Sequence, residues 1–121
     1  MKDIENVLVI GASPNESRYS NIATKMLTDY KHVVYPYGIR NGEIDGLKIE
    51  LEWPDQEFDT VTMYVGPQLQ DQYIQPIINL KPKRVIFNPG TENEAFYPAL
   101  GKAGIEYEEA CTLVLLRTGQ Y

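Results

Sequence analysis

Hydrophobic residues in this chain come in short runs that stop abruptly at glycine or proline. "NVLVIG" (6–11) is a continuous apolar stretch, the pattern of a parallel strand covered on both faces. Helical spacing follows over 21–30, with Ile22, Ala23, Met26, Leu27 and Tyr30 on one face and Ser20 or a neighbour as the cap. "HVVYPYG" (32–38) reads as a second strand ended by Pro36 and Gly38. A turn-rich excursion over 39–49 leads into a short extra strand near 48–51, and "DTVTMYVG" (59–66) forms a third principal strand.

Gly66 and Pro67 stop that strand. Leu69, Tyr73, Ile77 and Leu80 then give helical spacing, and Pro76 inside it predicts a kink or a late start. "KRVIFN" (83–88) is a fourth strand, closed by Pro89 and Gly90. "TENE" (91–94) spells a capping box for a helix carrying Ala95, Phe96, Ala99, Leu100 and Ala103, with Gly104 at its end. "IEYEEA" is a short fifth strand, and "CTLVLLRTGQY" is an apolar segment that fits helix or strand. The alternation predicts a doubly wound α/β fold: a mostly parallel five-stranded sheet in a Rossmann-like three-layer sandwich, one domain over 1–121.

Composition narrows the function. The 121 residues are 43% hydrophobic, enough for one core, and no apolar run approaches a membrane span. A net charge of −6 argues against nucleic acid as partner. One cysteine, Cys111, and one histidine, His32, give neither an internal disulfide nor a His-rich metal site. Cytoplasmic residence is the expectation. The acid pairs Glu92/Glu94 and Glu106/Glu108/Glu109 read as a helix cap and a solvated strand end. No catalytic constellation is visible, so the chain reads as a binding module without catalysis of its own.

Ligands of such sheets sit beyond the carboxyl ends of the strands. The strand ends at Gly11, at Pro36 to Gly38, at Gly66-Pro67 and at Asn88-Pro89-Gly90 would all fall there. After the first strand, Gly11 allows close backbone approach, while Ser13, Asn15, Ser17 and Ser20 precede or open a helix whose start carries free N–H groups. This is diphosphate chemistry without the full fingerprint, because Ser13 stands where G-x-G-x-x-G has its second glycine. A polar loop with no ligand fits the same residues. A nucleophilic serine fits poorly, since Asn15 replaces the glycine of G-x-S-x-G.

Taken in order, "VLVIGAS" followed by Arg18 and Asn21, then "VVYP", "IDGLKI", "DTVTMYVGPQ" and "RVIFNPGTENEAFYPALGKAGIEYEEACTLVLL" resemble the small stand-alone CoA-binding domain family. That family is similar to the nucleotide-binding N-terminal domain of the succinyl-CoA synthetase alpha subunit and of related acyl-CoA synthetases. The likeness spans nearly the whole chain. It implies that Gly11, Ala12, Ser13, Asn15, Arg18 and Asn21 hold a diphosphate, and that Pro36 lies beside the adenosine. It further implies that Val65, Gly66 and Pro67 line the nucleotide, while Asn88, Pro89 and Gly90 face the pantetheine. Cys111 matches a family cysteine, for which a buried apolar role is the simpler expectation.

The chain departs from the family after the second strand, where "YPYGIR" replaces a pattern close to V-N-P. Arg40 then stands where a guanidinium could pair with a ribose phosphate, the 3′-phosphate of CoA or the 2′-phosphate of NADP. A solvated loop arginine fits equally. Three readings stay open: a CoA or acyl-CoA binding protein, an NADP-type dinucleotide binder, and an interaction protein with a vestigial nucleotide pocket. In the last, the aromatic tail "LLRTGQY" would meet a second copy or an unknown protein partner.

Overall fold

The computed structural model describes residues 3–121. In chain order it comprises β1 (Asn6–Ile10), α1 (Tyr19–Asp29), β2 (Val33–Tyr37), the two-residue strands β3 (Glu43–Ile44) and β4 (Leu47–Lys48), β5 (Thr60–Met63), α2 (Asp71–Leu80), β6 (Arg84–Phe87), α3 (Tyr97–Lys102), β7 (Glu106–Glu109) and α4 (Thr112–Arg117). Five strands form one sheet in the order β2-β1-β5-β6-β7, and every neighbouring pair is parallel. β3 and β4 make a separate antiparallel pair.

Period-2 alternation sorts the core into two layers. Leu8, Ile10, Val61, Met63, Val85 and Phe87 pack against Tyr73 and Ile77 of α2 and Leu100 of α3. Val7 and Val9 point the other way, onto Leu27 of α1 and Leu116 of α4. Helices therefore cover both faces, and the uninterrupted apolar run of β1 is explained by its central place in the sheet. The α1 and α4 layer is not wholly apolar. Buried Thr62 shares a hydrogen bond of 2.8 Å with Thr112 at the start of α4.

Local details differ from the pattern-based expectation. Arg18, not Ser20, is the N-cap of α1, and it makes no side-chain cap bond. Ser20 is buried within the first turn, and its carbonyl accepts from the Thr24 hydroxyl at 2.8 Å. Pro36 lies inside β2 rather than ending it. β2 is an edge strand, which tolerates a missing N–H, and the Pro36 carbonyl accepts from Glu50 at 2.8 Å. α2 runs through Pro76 from its start at Asp71.

The capping box does not form. The Thr91 hydroxyl turns back to the Asn88 carbonyl at 2.8 Å, and Glu92 rather than Glu94 takes a main-chain N–H, that of Gly90 at 2.9 Å. α3 begins later, with Pro98 in its first turn, where a proline costs no helical bond. The terminal apolar segment is resolved as the helix α4.

Gly38 offers a sharp test of the packing at the end of β2. Its φ is not in the left-handed region, yet a Cβ there would collide with the Ala12 carbonyl oxygen. Gly38→Ala is expected to cost about 1–3 kcal/mol by forced displacement of backbone. Gly101→Ala, inside α3 with open space around it, should gain about 0.5–1 kcal/mol. Urea unfolding of the two variants checks the opposite signs.

Candidate functional site

The strand order reverses at β1. The chain leaves β1 through α1 for β2 on one side, then returns past β1 to β5 on the other. At such a reversal the loops leaving the two strands diverge over opposite faces, and the crevice between them is where α/β sheets bind ligands. Here that position falls between the loop after β1 and the segment 64–70 after β5.

The end of β1 is fastened to both neighbours. The N–H groups of Gly11 and Ala12 donate to the Tyr37 carbonyl at 3.0 and 2.9 Å. Gly11 has φ 98°, and a Cβ there would stand 3.1 Å from the Tyr64 carbonyl carbon and from Val65 Cγ2. The close approach that Gly11 permits is thus to the chain itself. Its N–H and that of Ala12 are committed to Tyr37, so the donors toward a diphosphate must come from elsewhere in the loop.

Beyond this anchor the loop turns outward and braces itself. The Asn15 N–H donates to Ser13 Oγ at 3.1 Å, and Asn15 Oδ1 accepts from the Ser17 N–H at 3.0 Å and its hydroxyl at 2.7 Å. Asn21 is buried, and its Nδ2 donates to the Ser13 carbonyl at 2.9 Å, tying α1 to the loop from inside. Ser13, Asn15 and Asn21 therefore shape the loop. Among the described residues, the main-chain N–H groups of Ser13, Tyr19 and Ser20 have no protein acceptor. The last two lie in the first turn of α1, whose dipole favours negative charge.

Charge follows the same geometry. The acid in the loop, Glu16, pairs with Lys25 at 3.5 Å. Arg18 and Arg40 are exposed and carry no salt bridge among the described residues. Arg40 lies in the bend after β2, and Gly42 close behind it packs on Pro14 of the loop. Pro36 is buried and presents no open face at this rim.

On the far side of the crevice, Val65, Gly66 and Pro67 are half-buried, and Pro89 and Gly90 are exposed. Asn88 is not. It is 1% exposed, its Nδ2 donates to Thr62 Oγ1 at 2.7 Å and the Met63 carbonyl at 2.9 Å, and its Oδ1 accepts from the Thr112 N–H at 2.9 Å. With every amide group spent on β5 and α4, Asn88 is a brace rather than a ligand residue. The Tyr64 hydroxyl lies beside Thr62 and Thr112, and burial first, then the Cys111 thiol, push its pKa far above the ordinary tyrosine value. Cys111 is half-buried as the N-cap of α4.

Fully buried Gln70 has no counterpart in the pattern reading. A glutamine among turn residues carries no sequence signal that separates a brace from a solvated side chain.

Comparisons extend these observations. A family model described as "CoA binding domain" matches residues 5–117. An uncharacterized protein of known crystal structure is 43% identical, superposes with TM-score 0.95, and is covered over 100% of its length by 99% of this chain. A Thermus thermophilus protein at 20% identity has TM-score 0.84 over 98% of this chain and 91% of its own. A conserved hypothetical protein from Pyrococcus furiosus at 29% identity has TM-score 0.76 over 89% and 93%. No curated protein gives a significant sequence match.

Two cavities lie at the opposite, amino-end rim, of about 270 and 650 Å³. Tyr30, His32 and Tyr121 line the smaller; Asp59, Lys81 and Lys83 line the larger. Several polar groups at this rim are bonded within the fold. Arg84 Nε donates to Thr60 Oγ1 at 2.9 Å, and its guanidinium lies 4.5 Å from the Tyr121 ring, so this tail aromatic is engaged within the chain. Asp59 accepts from the Asn6 N–H at 2.8 Å.

His32 Nδ1 accepts from the Glu5 N–H at 3.0 Å, which requires a neutral ring. Burial, assisted by Arg84 and opposed by Glu5, holds its pKa below the ordinary 6.5. The unfolded chain therefore takes up the proton first, and stability is lost as pH falls below about 6.5 toward the folded value. Asp59, lowered chiefly by the Asn6 bond, gives its own loss only as pH falls below 3.8. Melting curves should show a decline that begins near neutrality and is flattened in His32→Asn, leaving the acid limb in place.

Proposed function

The chain belongs to the CoA-binding domain family, and on that premise we propose that it binds coenzyme A or an acyl-CoA by the diphosphate at the start of α1. The supporting observation is the set of unused N–H groups at Ser13, Tyr19 and Ser20 beside an unopposed Arg18. Oriented N–H dipoles and a guanidinium fork suit the oxygens of a diphosphate. Asn15 and Asn21 hold the loop in shape. Arg40, beyond β2, reads the ribose 3′-phosphate; Val65, Gly66 and Pro67 line the nucleotide, and Pro89 and Gly90 face the pantetheine.

The protein acts as a carrier, sensor or accessory subunit without chemistry of its own. No group of metal-ligating side chains gathers among the described residues, and the one histidine is bonded at the opposite rim. No described helix is long and apolar enough to cross a membrane.

Differential scanning fluorimetry with CoA, acetyl-CoA, NADPH and NADH tests the reading. CoA at roughly a hundred times its Kd should add about 2.7 kcal/mol and raise Tm by roughly 10 °C. Arg18→Ala, which removes one charge-assisted donor, should weaken CoA by about 10- to 100-fold. A flat response to CoA with a clear one to NADPH would replace the reading with an NADP-type binder. Silence toward all four would leave the interaction protein.

A further inference from the structure

We infer that Gln70 is a positioning residue for the coenzyme, locking the loop after β5 to the loop after β6 so that the two form a single wall. This rests on the CoA reading above. Ladder pairing between β5 and β6 ends at Met63 and Phe87. Beyond that point the two chains leave the sheet, and no regular hydrogen bonding sets their separation.

Gln70 supplies it. The side chain is fully buried at the N-cap of α2. Its Nε2 donates one hydrogen to the Val65 carbonyl at 2.8 Å and the other to the Thr91 carbonyl at 2.7 Å. Its Oε1 accepts from Asn93 Nδ2 at 3.1 Å. One neutral carboxamide therefore satisfies main-chain carbonyls from two loops that no other side chain among the described residues joins in this way. The network continues inward, since the Thr91 hydroxyl and N–H both donate to the Asn88 carbonyl, and the Asn88 amide holds β5 and the start of α4.

The chemistry is specific to glutamine. A carboxylate would set negative charge against two carbonyl oxygens, an apolar side chain would strand both, and asparagine is one methylene short. The residues this brace carries on its outer side are Gly66, Pro67, Pro89 and Gly90, which have no side-chain hydrogen-bonding groups of their own. Their placement depends on main-chain geometry, and Gln70 fixes that geometry. The loop after β1 is anchored separately, through Tyr37. Loss of Gln70 should therefore loosen both stretches of this wall, 65–67 along the nucleotide and 89–90 along the pantetheine, and spare the donors after β1.

Calorimetry on the full chain separates the two halves with two probes: CoA, and adenosine 3′-phosphate 5′-diphosphate, which is CoA without its pantetheine arm. Gln70→Met is expected to weaken CoA by about tenfold and the truncated nucleotide, which meets only the 65–67 half of the wall, by about threefold. Equal weakening of both probes, or of neither, overturns the inference. Should Gln70→Met fail to fold, amide exchange on the wild-type chain decides: the hydrogen-bonded amides of Gln70 and Thr91, on the two sides of the brace, should slow together and by a similar factor when CoA binds. Protection of only one, or of none, overturns it. Wild-type chain that binds neither probe sinks the CoA reading itself and this inference with it, an outcome visible before any variant is made.

Discussion

The Tyr37 carbonyl accepts from both Gly11 and Ala12, and this pair of bonds fixes the end of β1 where the sheet reverses direction. The main chain of Tyr64 presses on Gly11 from the other neighbour, and Gly38 lies against the Ala12 carbonyl. Three backbone segments meet with no room for a Cβ between them. Because the strand end cannot shift, the residues after it must turn outward, and the first turn of α1 is delivered to the crevice with its N–H groups unspent. A diphosphate would find these donors already oriented, so little conformational entropy is left to lose on binding.

An acidic protein can hold a polyanion this way because the interaction is local. Exposed charges more than about 8 Å away are largely screened at physiological ionic strength. What counts is the ring of groups at the site, where Glu16 is neutralised by Lys25 and Arg18 is not opposed. Carboxylates gather elsewhere, notably along the exposed edge strand β7. There they discourage edge-to-edge pairing with another sheet. At the other edge, Pro36 removes a donor and Glu50 caps its carbonyl.

The layout of the fold was legible because β1, β5 and β6 are short apolar runs punctuated by glycine and proline, a pattern that buried parallel strands produce directly. Helix starts were less so. Thr91 has the right neighbours for a cap, but its hydroxyl is drawn to the Asn88 carbonyl by the turn that precedes it, a tertiary preference no local pattern carries. The same limit applies at the site. Gly11 was identifiable as a place of close approach, while the partner, Tyr64 and Val65, comes from the segment just after β5, far away in the chain. In sequence Asn88 resembles a ligand residue and Gln70 a solvated turn amide, and only their burial makes them braces.

On the proposed reading, anion recognition falls to the carboxyl rim and the amino rim is left to structural charge. Titrating CoA into isotopically labelled protein and following main-chain amide resonances tests that division most directly. The account predicts large shifts at Ser13, Tyr19 and Ser20, with Gly11 and Ala12 moving little because their N–H groups already have an acceptor. Shifts concentrated around Tyr30 and His32, at the smaller cavity of the opposite rim, would contradict it.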